Sequence, residues 1–148
     1  MASGTRLDFS GLLPAVGIAL LAAASGANAP QPAPDFALPA REGSDVRLSE
    51  LKGQVVMINF WATWCKGCVL EIPWFIEFQE KYKDRGLSVI GVSMDENWKP
   101  VKTFVAEKEV NYPVVLDNQG VSGKYALSSM PMTLLIDRSG EIAASYVG

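Results

Sequence analysis

The stretch Trp61-Ala62-Thr63-Trp64-Cys65-Lys66-Gly67-Cys68-Val69-Leu70-Glu71-Ile72-Pro73 holds both cysteines of the chain. Two thiols separated by two residues close into a small disulfide ring and reopen by thiol exchange, provided one is exposed and the other sits behind it. The apolar run Val55-Val56-Met57-Ile58-Asn59-Phe60 leads in. It has too little alternation for a half-exposed strand and predicts a central strand buried on both faces. A helical pattern leads out. The order strand, Cys-x-x-Cys, helix puts Cys65 at or near a helix N-terminus, where unpaired N–H groups and the helix dipole favour a thiolate over a thiol. Lys66 adds a positive charge beside it. Cys65 is the expected nucleophile and Cys68, one turn further in, the resolving thiol. A structural staple is the competing reading, but bridging residues three apart constrains an unfolded chain very little.

With 148 residues, of which 49% are hydrophobic and 20% charged, the chain supports one globular domain. A net charge of −3 without any basic run leaves no electrostatic footprint for nucleic acid. Histidine is absent, which removes Ser-His-Asp and Cys-His catalysis, His-ligated zinc and histidine ligation of haem. The chemistry left to the chain runs on sulfur, carboxylates, lysine or backbone.

Residues 1–29 carry Arg6, an apolar segment from Leu12 to Ala24, and small residues ending Ala27-Asn28-Ala29. They read as a secretory signal peptide with an A-x-A site, or as an uncleaved N-terminal anchor over residues 12–24. Either places the domain in a compartment where disulfides persist, periplasmic or otherwise extracytoplasmic. Residues 30–34, Pro-Gln-Pro-Ala-Pro, read as a stiff extended linker, and 35–148 as the domain. Asp35 to Leu38 and Asp45 to Leu48 alternate in polarity around Glu42-Gly43-Ser44 and predict a short hairpin. Ser49 resembles an N-cap for a brief turn ending at Gly53.

Asn59 is the polar residue of the first buried run, expected as a core amide or as polar support beneath the dithiol. From Val69 to Tyr82, Leu70, Trp74, Phe75, Phe78 and Tyr82 recur at helical spacing and predict one core face. Pro73 is expected to kink that helix. Glu71, three residues after Cys68, is either an acid of the first helical turns or a group that accepts the proton of Cys68. Leu87 to Met94 predicts a second buried strand, and Asp95-Glu96-Asn97 begins a helix with Pro100 in its first turn and Val101, Phe104 and Val105 on its apolar stripe. Val114 to Leu116 is a short strand and Val121 to Leu127 a short helix. The strand Leu134 to Asp137 returns through Arg138-Ser139-Gly140 as an antiparallel strand from Glu141 to Val147.

From Ala33 to Gly148 the sequence resembles the thioredoxin-like superfamily, specifically the exported TlpA/ResA-type thiol-disulfide oxidoreductases. The resemblance is carried by Trp61-Ala62-Thr63-Trp64-Cys65 with Cys68, by Glu71 and Pro73, by Met130-Pro131, and by the early hairpin. It implies an α/β thioredoxin-like fold, a central mixed β-sheet flanked by helices, with an N-terminal hairpin extension and a central insertion from Asp95 to Leu116. It implies a cis bond at Met130-Pro131, with Trp64, Met130 and Pro131 binding substrate and the backbone of Met130 free to pair with an extended strand. Lys66-Gly67 replaces the family's more usual proline-containing pair, and these two residues help set thiolate stability. Met132 stands where the family usually has threonine. The helix that normally follows Gly148 is absent from the sequence, which predicts one face of the sheet left uncovered.

The function implied is an exported reductase of selected protein disulfides, often in cytochrome c maturation, with electrons from a membrane thiol relay. It needs no bound cofactor beyond the Cys65–Cys68 disulfide and no metal. Two alternatives stand beside it: a dithiol oxidase running the exchange in the other direction, and a Cu(I)-binding thiol module on Cys65 and Cys68.

Overall fold

The computed structural model describes residues 31–148. The expected signal or anchor segment and Pro30 lie outside the described residues. Five strands form one sheet in the order β5-β4-β3-β6-β7, with β3 Val55–Trp61, β4 Leu87–Ser93, β5 Val114–Leu116, β6 Met132–Ile136 and β7 Ile142–Val147. β3 runs parallel to β4, and β4 to β5; β6 is antiparallel to both β3 and β7. Ahead of the sheet, β1 Ala37–Pro39 and β2 Asp45–Arg47 make the expected hairpin. Helix α1 Lys66–Tyr82 follows β3, α2 Trp98–Glu107 follows β4, and the four-residue α3 Val121–Lys124 follows β5.

β3 sits between two neighbours and is built from β-branched and aromatic residues that fill both faces of the sheet. Because side chains alternate, Val56, Ile58 and Phe60 enter one cluster, with Phe36, Leu38 and Leu48 of the hairpin region and Val121 and Tyr125 of the α3 segment. Trp61 enters the other with Cys68, Ile72 and Phe75 of α1 and Val101 and Val105 of α2, and Met57 packs against it. Around β3 and β4 the sheet is therefore a central layer covered on both faces, whereas the edge strand β7 stays largely exposed, in line with the expected uncovered part of the sheet.

Three local expectations change. The core face of α1 is Cys68, Ile72 and Phe75; Leu70 and Trp74 point outward, 73% and 58% exposed. The helix carries apolar residues around most of its circumference, so the face that packs is fixed by burying Cys68 and its i+4 and i+7 neighbours, not by a single stripe. The 3-10 turn Leu48–Leu51 has no side-chain cap: instead of Ser49 capping it, the Ser49 N–H donates to Asp35 Oδ1 at 2.9 Å, so a carboxylate from the preceding segment does that work. The segment expected as a linker is tied to the sheet, since Ile142 N donates to Gln31 O at 2.8 Å and Ala33 N to Gly140 O at 2.9 Å. Tyr125 Oη also donates to Pro34 O at 2.7 Å. An edge strand offers unpaired backbone groups, and an extended proline-rich stretch can meet them at its non-proline positions.

Helix α1 continues through Pro73 as one element. Asn97 Oδ1 accepts from Lys99 N at 3.0 Å and caps α2. Along β7, Tyr146 and Val147 are 63% and 54% exposed.

Candidate active site

Strand directions bring the site together. β3 and β4 are parallel, so the loop after Trp61 and the end of β4 at Ser93 lie at the same edge. β6 is antiparallel and Phe60 pairs with Met132, so the residue before β6, Pro131, stands beside the start of the Cys65 loop. Met132 in turn pairs with Val147, which brings Gly148 onto Pro131: Gly148 N donates to Pro131 O at 2.9 Å. A Cβ at position 148 would meet Pro131 Cγ at 2.8 Å, so this approach requires glycine.

Cys65 and Cys68 are joined as a disulfide. Cys65 occupies the N-cap of α1 in extended backbone, and its sulfur accepts the Cys68 backbone N–H at 3.2 Å. In the reduced protein that same N–H and the helix dipole are positioned to stabilise a Cys65 thiolate. Burial separates the pair: Cys65 is half-buried, and Cys68 is 0% exposed. Sulfur 65 is the more accessible of the two.

The remaining predicted residues fall around this centre. Trp64 is 66% exposed and adjoins Cys65. Lys66 opens α1 on the exposed side. Gly67 is exposed, and a Cβ there would touch Pro131 Cδ at 3.4 Å, which places the proline against the first turn of the helix. The Met130–Pro131 peptide is cis, Met130 is half-buried and Pro131 buried. Glu71 is half-buried, and its burial pushes the carboxyl above the usual carboxylate range. Asn59 is a core amide satisfied on one side: it is fully buried, Nδ2 donates to Thr133 Oγ1 at 3.1 Å, and Oδ1 finds no partner.

The sequence reading missed Asp95. Of the Asp95-Glu96-Asn97 run, only Asn97 serves the helix start; Asp95 turns inward, 6% exposed, and holds Thr63 in the loop before Cys65. The available signal was an acid directly ending a buried parallel strand whose last residues must meet that loop. Among the described residues no group of three or more His, Cys, Asp or Glu side chains could hold a metal ion, so a Cu(I) site would rest on the two cysteines alone. No helix among the described residues is long and apolar enough to cross a membrane.

A mixed sheet flanked by helices, with a Cys-x-x-Cys disulfide at a helix N-terminus beside a cis-proline, defines a thioredoxin-like thiol-disulfide oxidoreductase. Comparison with known proteins agrees with that class. The AhpC/TSA family signature matches residues 29–145, and the chain belongs to this family. It is similar to the thiol-disulfide oxidoreductase ResA of Bacillus cereus, 37% identical over 117 residues that cover 78% of this chain and 68% of that protein. It is also similar to the thioredoxin-like protein YneN of Bacillus subtilis, 36% identical over 121 residues, 80% of this chain and 71% of that one. Among solved structures it matches a DsbE-type thiol:disulfide interchange protein from Chlorobium tepidum with a TM-score of 0.77 and 38% identity, over 80% of this chain and 84% of that chain.

Proposed function

We propose that the protein is an extracytoplasmic reductase of protein disulfides. The observation that carries this reading is the inequality of the two sulfurs: one capped by a helix N-terminus and reachable, the other wholly buried. The reduced Cys65 thiolate attacks one sulfur of a substrate disulfide, forming a mixed disulfide and releasing the first substrate thiolate. Cys68 gives up its proton, for which Glu71 is the acceptor, and attacks Cys65 Sγ. The Cys65–Cys68 bond forms, the second substrate thiolate leaves, and two electrons have passed to the substrate. An extended substrate lies along the Met130-Pro131 loop with Trp64 on its flank, and Lys66 and Gly67 tune the thiolate. A membrane thiol relay returns the electrons. Residues 1–29 support export as a signal or anchor, residues 35–148 form the thioredoxin-like domain, and disulfides of cytochrome c maturation are the substrates proposed by analogy with the TlpA/ResA type.

The test is the pH dependence of alkylation at each cysteine of the reduced protein. Cys65 is expected to react with a midpoint well below the model thiol value of ~8.5 while Cys68 stays protected. Cys68→Ser should accumulate a mixed disulfide with a model substrate protein, seen as a mass adduct, whereas Cys65→Ser should form none. Equal and sluggish sulfurs, or full turnover in Cys65→Ser, would defeat the reading. Equilibration with glutathione sets the direction: a potential near ~−270 mV fits a reductase and one near ~−120 mV an oxidase.

A further inference from the structure

Behind the loop that presents Cys65, at the end of β4, lies a carboxylate that the exchange chemistry does not use. Asp95 Oδ1 accepts the Thr63 hydroxyl at 2.6 Å, and Oδ2 accepts both the Thr63 backbone N–H at 3.0 Å and the Ser93 hydroxyl at 2.8 Å. Its own N–H donates to Ser93 Oγ at 3.1 Å. Two further bonds complete the frame: Met94 N to Trp61 O at 2.8 Å and Cys65 N to Ala62 O at 3.1 Å. Thr63 is thus held at both its backbone and its side chain, two residues before the nucleophile. No cation pairs with Asp95 among the described ion pairs; its donors are all neutral.

We propose that Asp95 is a positioning residue for Cys65, which fixes the Ala62–Cys65 turn and places one negative charge at its base. Two properties separate these effects. The three donors define where loop 62–65 crosses the end of β4, and with it the distance from Cys65 Sγ to the Cys68 N–H. The charge acts on the nucleophile directly. The carboxylate touches Thr63, and the two residues from there to Cys65 reach at most about 7 Å of chain, so the charge lies on the order of one Debye length from Cys65 Sγ and is partly shielded from solvent. A negative charge there disfavours the thiolate and so favours the disulfide, making the dithiol more reducing. The other charged groups near the nucleophile are Lys66 and Glu71 on α1, Glu96 beside Asp95, and Lys99 and Glu107 on α2, which line a shallow groove with Thr63. The segment from Ser128 to Pro131 brings none.

The inference rests on the thiol-exchange reading above, and the experiment separates the two. Asp95→Asn keeps the shape and lets the amide serve the same three groups, its Nδ2 donating to a rotated Thr63 hydroxyl, while the charge is removed. Thr63→Val keeps the charge and the backbone bond but removes the hydroxyl. Wild type and both variants are reduced and measured for Cys65 alkylation against pH, equilibrium with glutathione, and kcat and KM on a protein disulfide. For Asp95→Asn the alkylation midpoint should fall by about half to one pH unit, and the reduced form should gain about three- to tenfold in the glutathione equilibrium. For Thr63→Val the midpoint should stay, while kcat drops with KM little changed. If both variants only lower the melting temperature and leave midpoint, glutathione equilibrium and kcat at wild-type values, Asp95 is structural and the proposal is overturned. If wild-type Cys65 itself shows no low-pH reactivity, the thiol-exchange reading fails, and the proposal with it.

Discussion

Glu71 illustrates how a single side chain near the dithiol turns burial into chemistry. Among the described residues it is the one carboxyl pushed above the usual carboxylate range, and burial is the cause. In the exchange proposed above, a carboxylate with a raised pKa is the better proton acceptor for the buried Cys68 thiol, which has to ionise before it resolves the mixed disulfide. The sign follows from that role. As pH falls through the raised value Glu71 becomes protonated, and resolution should slow; above it the rate recovers. Glu71→Gln should slow resolution roughly tenfold or more and remove this limb, as seen in single-turnover decay of the mixed disulfide across pH. The same shift has a stability consequence of opposite sense. The folded state holds the proton more tightly than the unfolded chain, so this contribution to stability is present at low pH and is lost as pH rises through the folded value. Melting curves of Glu71→Gln should lose that part of the pH dependence.

Helix α1 shows what an element reveals in sequence and what it hides. That a helix follows the dithiol was legible, because apolar residues recur at helical spacing and Cys65 sits where a cap is needed. Its phase was not. Leu70 and Trp74 fit a helical stripe as well as Ile72 and Phe75 do, and only the sheet beneath decides between them. The buried strands β3 and β4 and the β6–β7 return were readable from their continuous apolar runs and bracketing turns, and the cis bond before β6 from the likeness of Met130-Pro131 to its family. The Asp95–Thr63 bonds, 32 residues apart in sequence, and the Asp35–Ser49 bond leave no local trace, since hydroxyl and carboxylate pairings of that kind carry no periodicity. The phase of α1 can be checked by substitution. Ile72→Ala should cost about 2–5 kcal/mol, as expected for a buried aliphatic side chain, and Leu70→Ala about 0.5 kcal/mol or less. Chemical denaturation curves with unchanged m-values would measure both, and a reversed order would overturn the assigned face.

At the scale of the whole molecule, the fold must survive both redox states if the dithiol is to cycle. The sheet and its two clusters are complete without the disulfide: Val56, Ile58, Phe60, Val89, Ile90 and Val92 are all almost fully buried beneath a site that lies at the strand ends. The Cys65–Cys68 bond joins residues only three apart. Closing so small a loop removes little freedom from the unfolded chain, about 2 kcal/mol by the chain-entropy relation. Reduction should therefore leave near-UV circular dichroism essentially intact and lower the melting temperature by roughly 10 °C or less. Loss of tertiary signal on reduction at 25 °C would instead make the bond a structural staple, and a two-electron cycle would then require the protein to unfold at every turnover. The physical basis for expecting the first outcome is the position of the bond: it lies at the rim of the sheet, where opening changes the accessibility of one sulfur and leaves the packing of the strands below it in place.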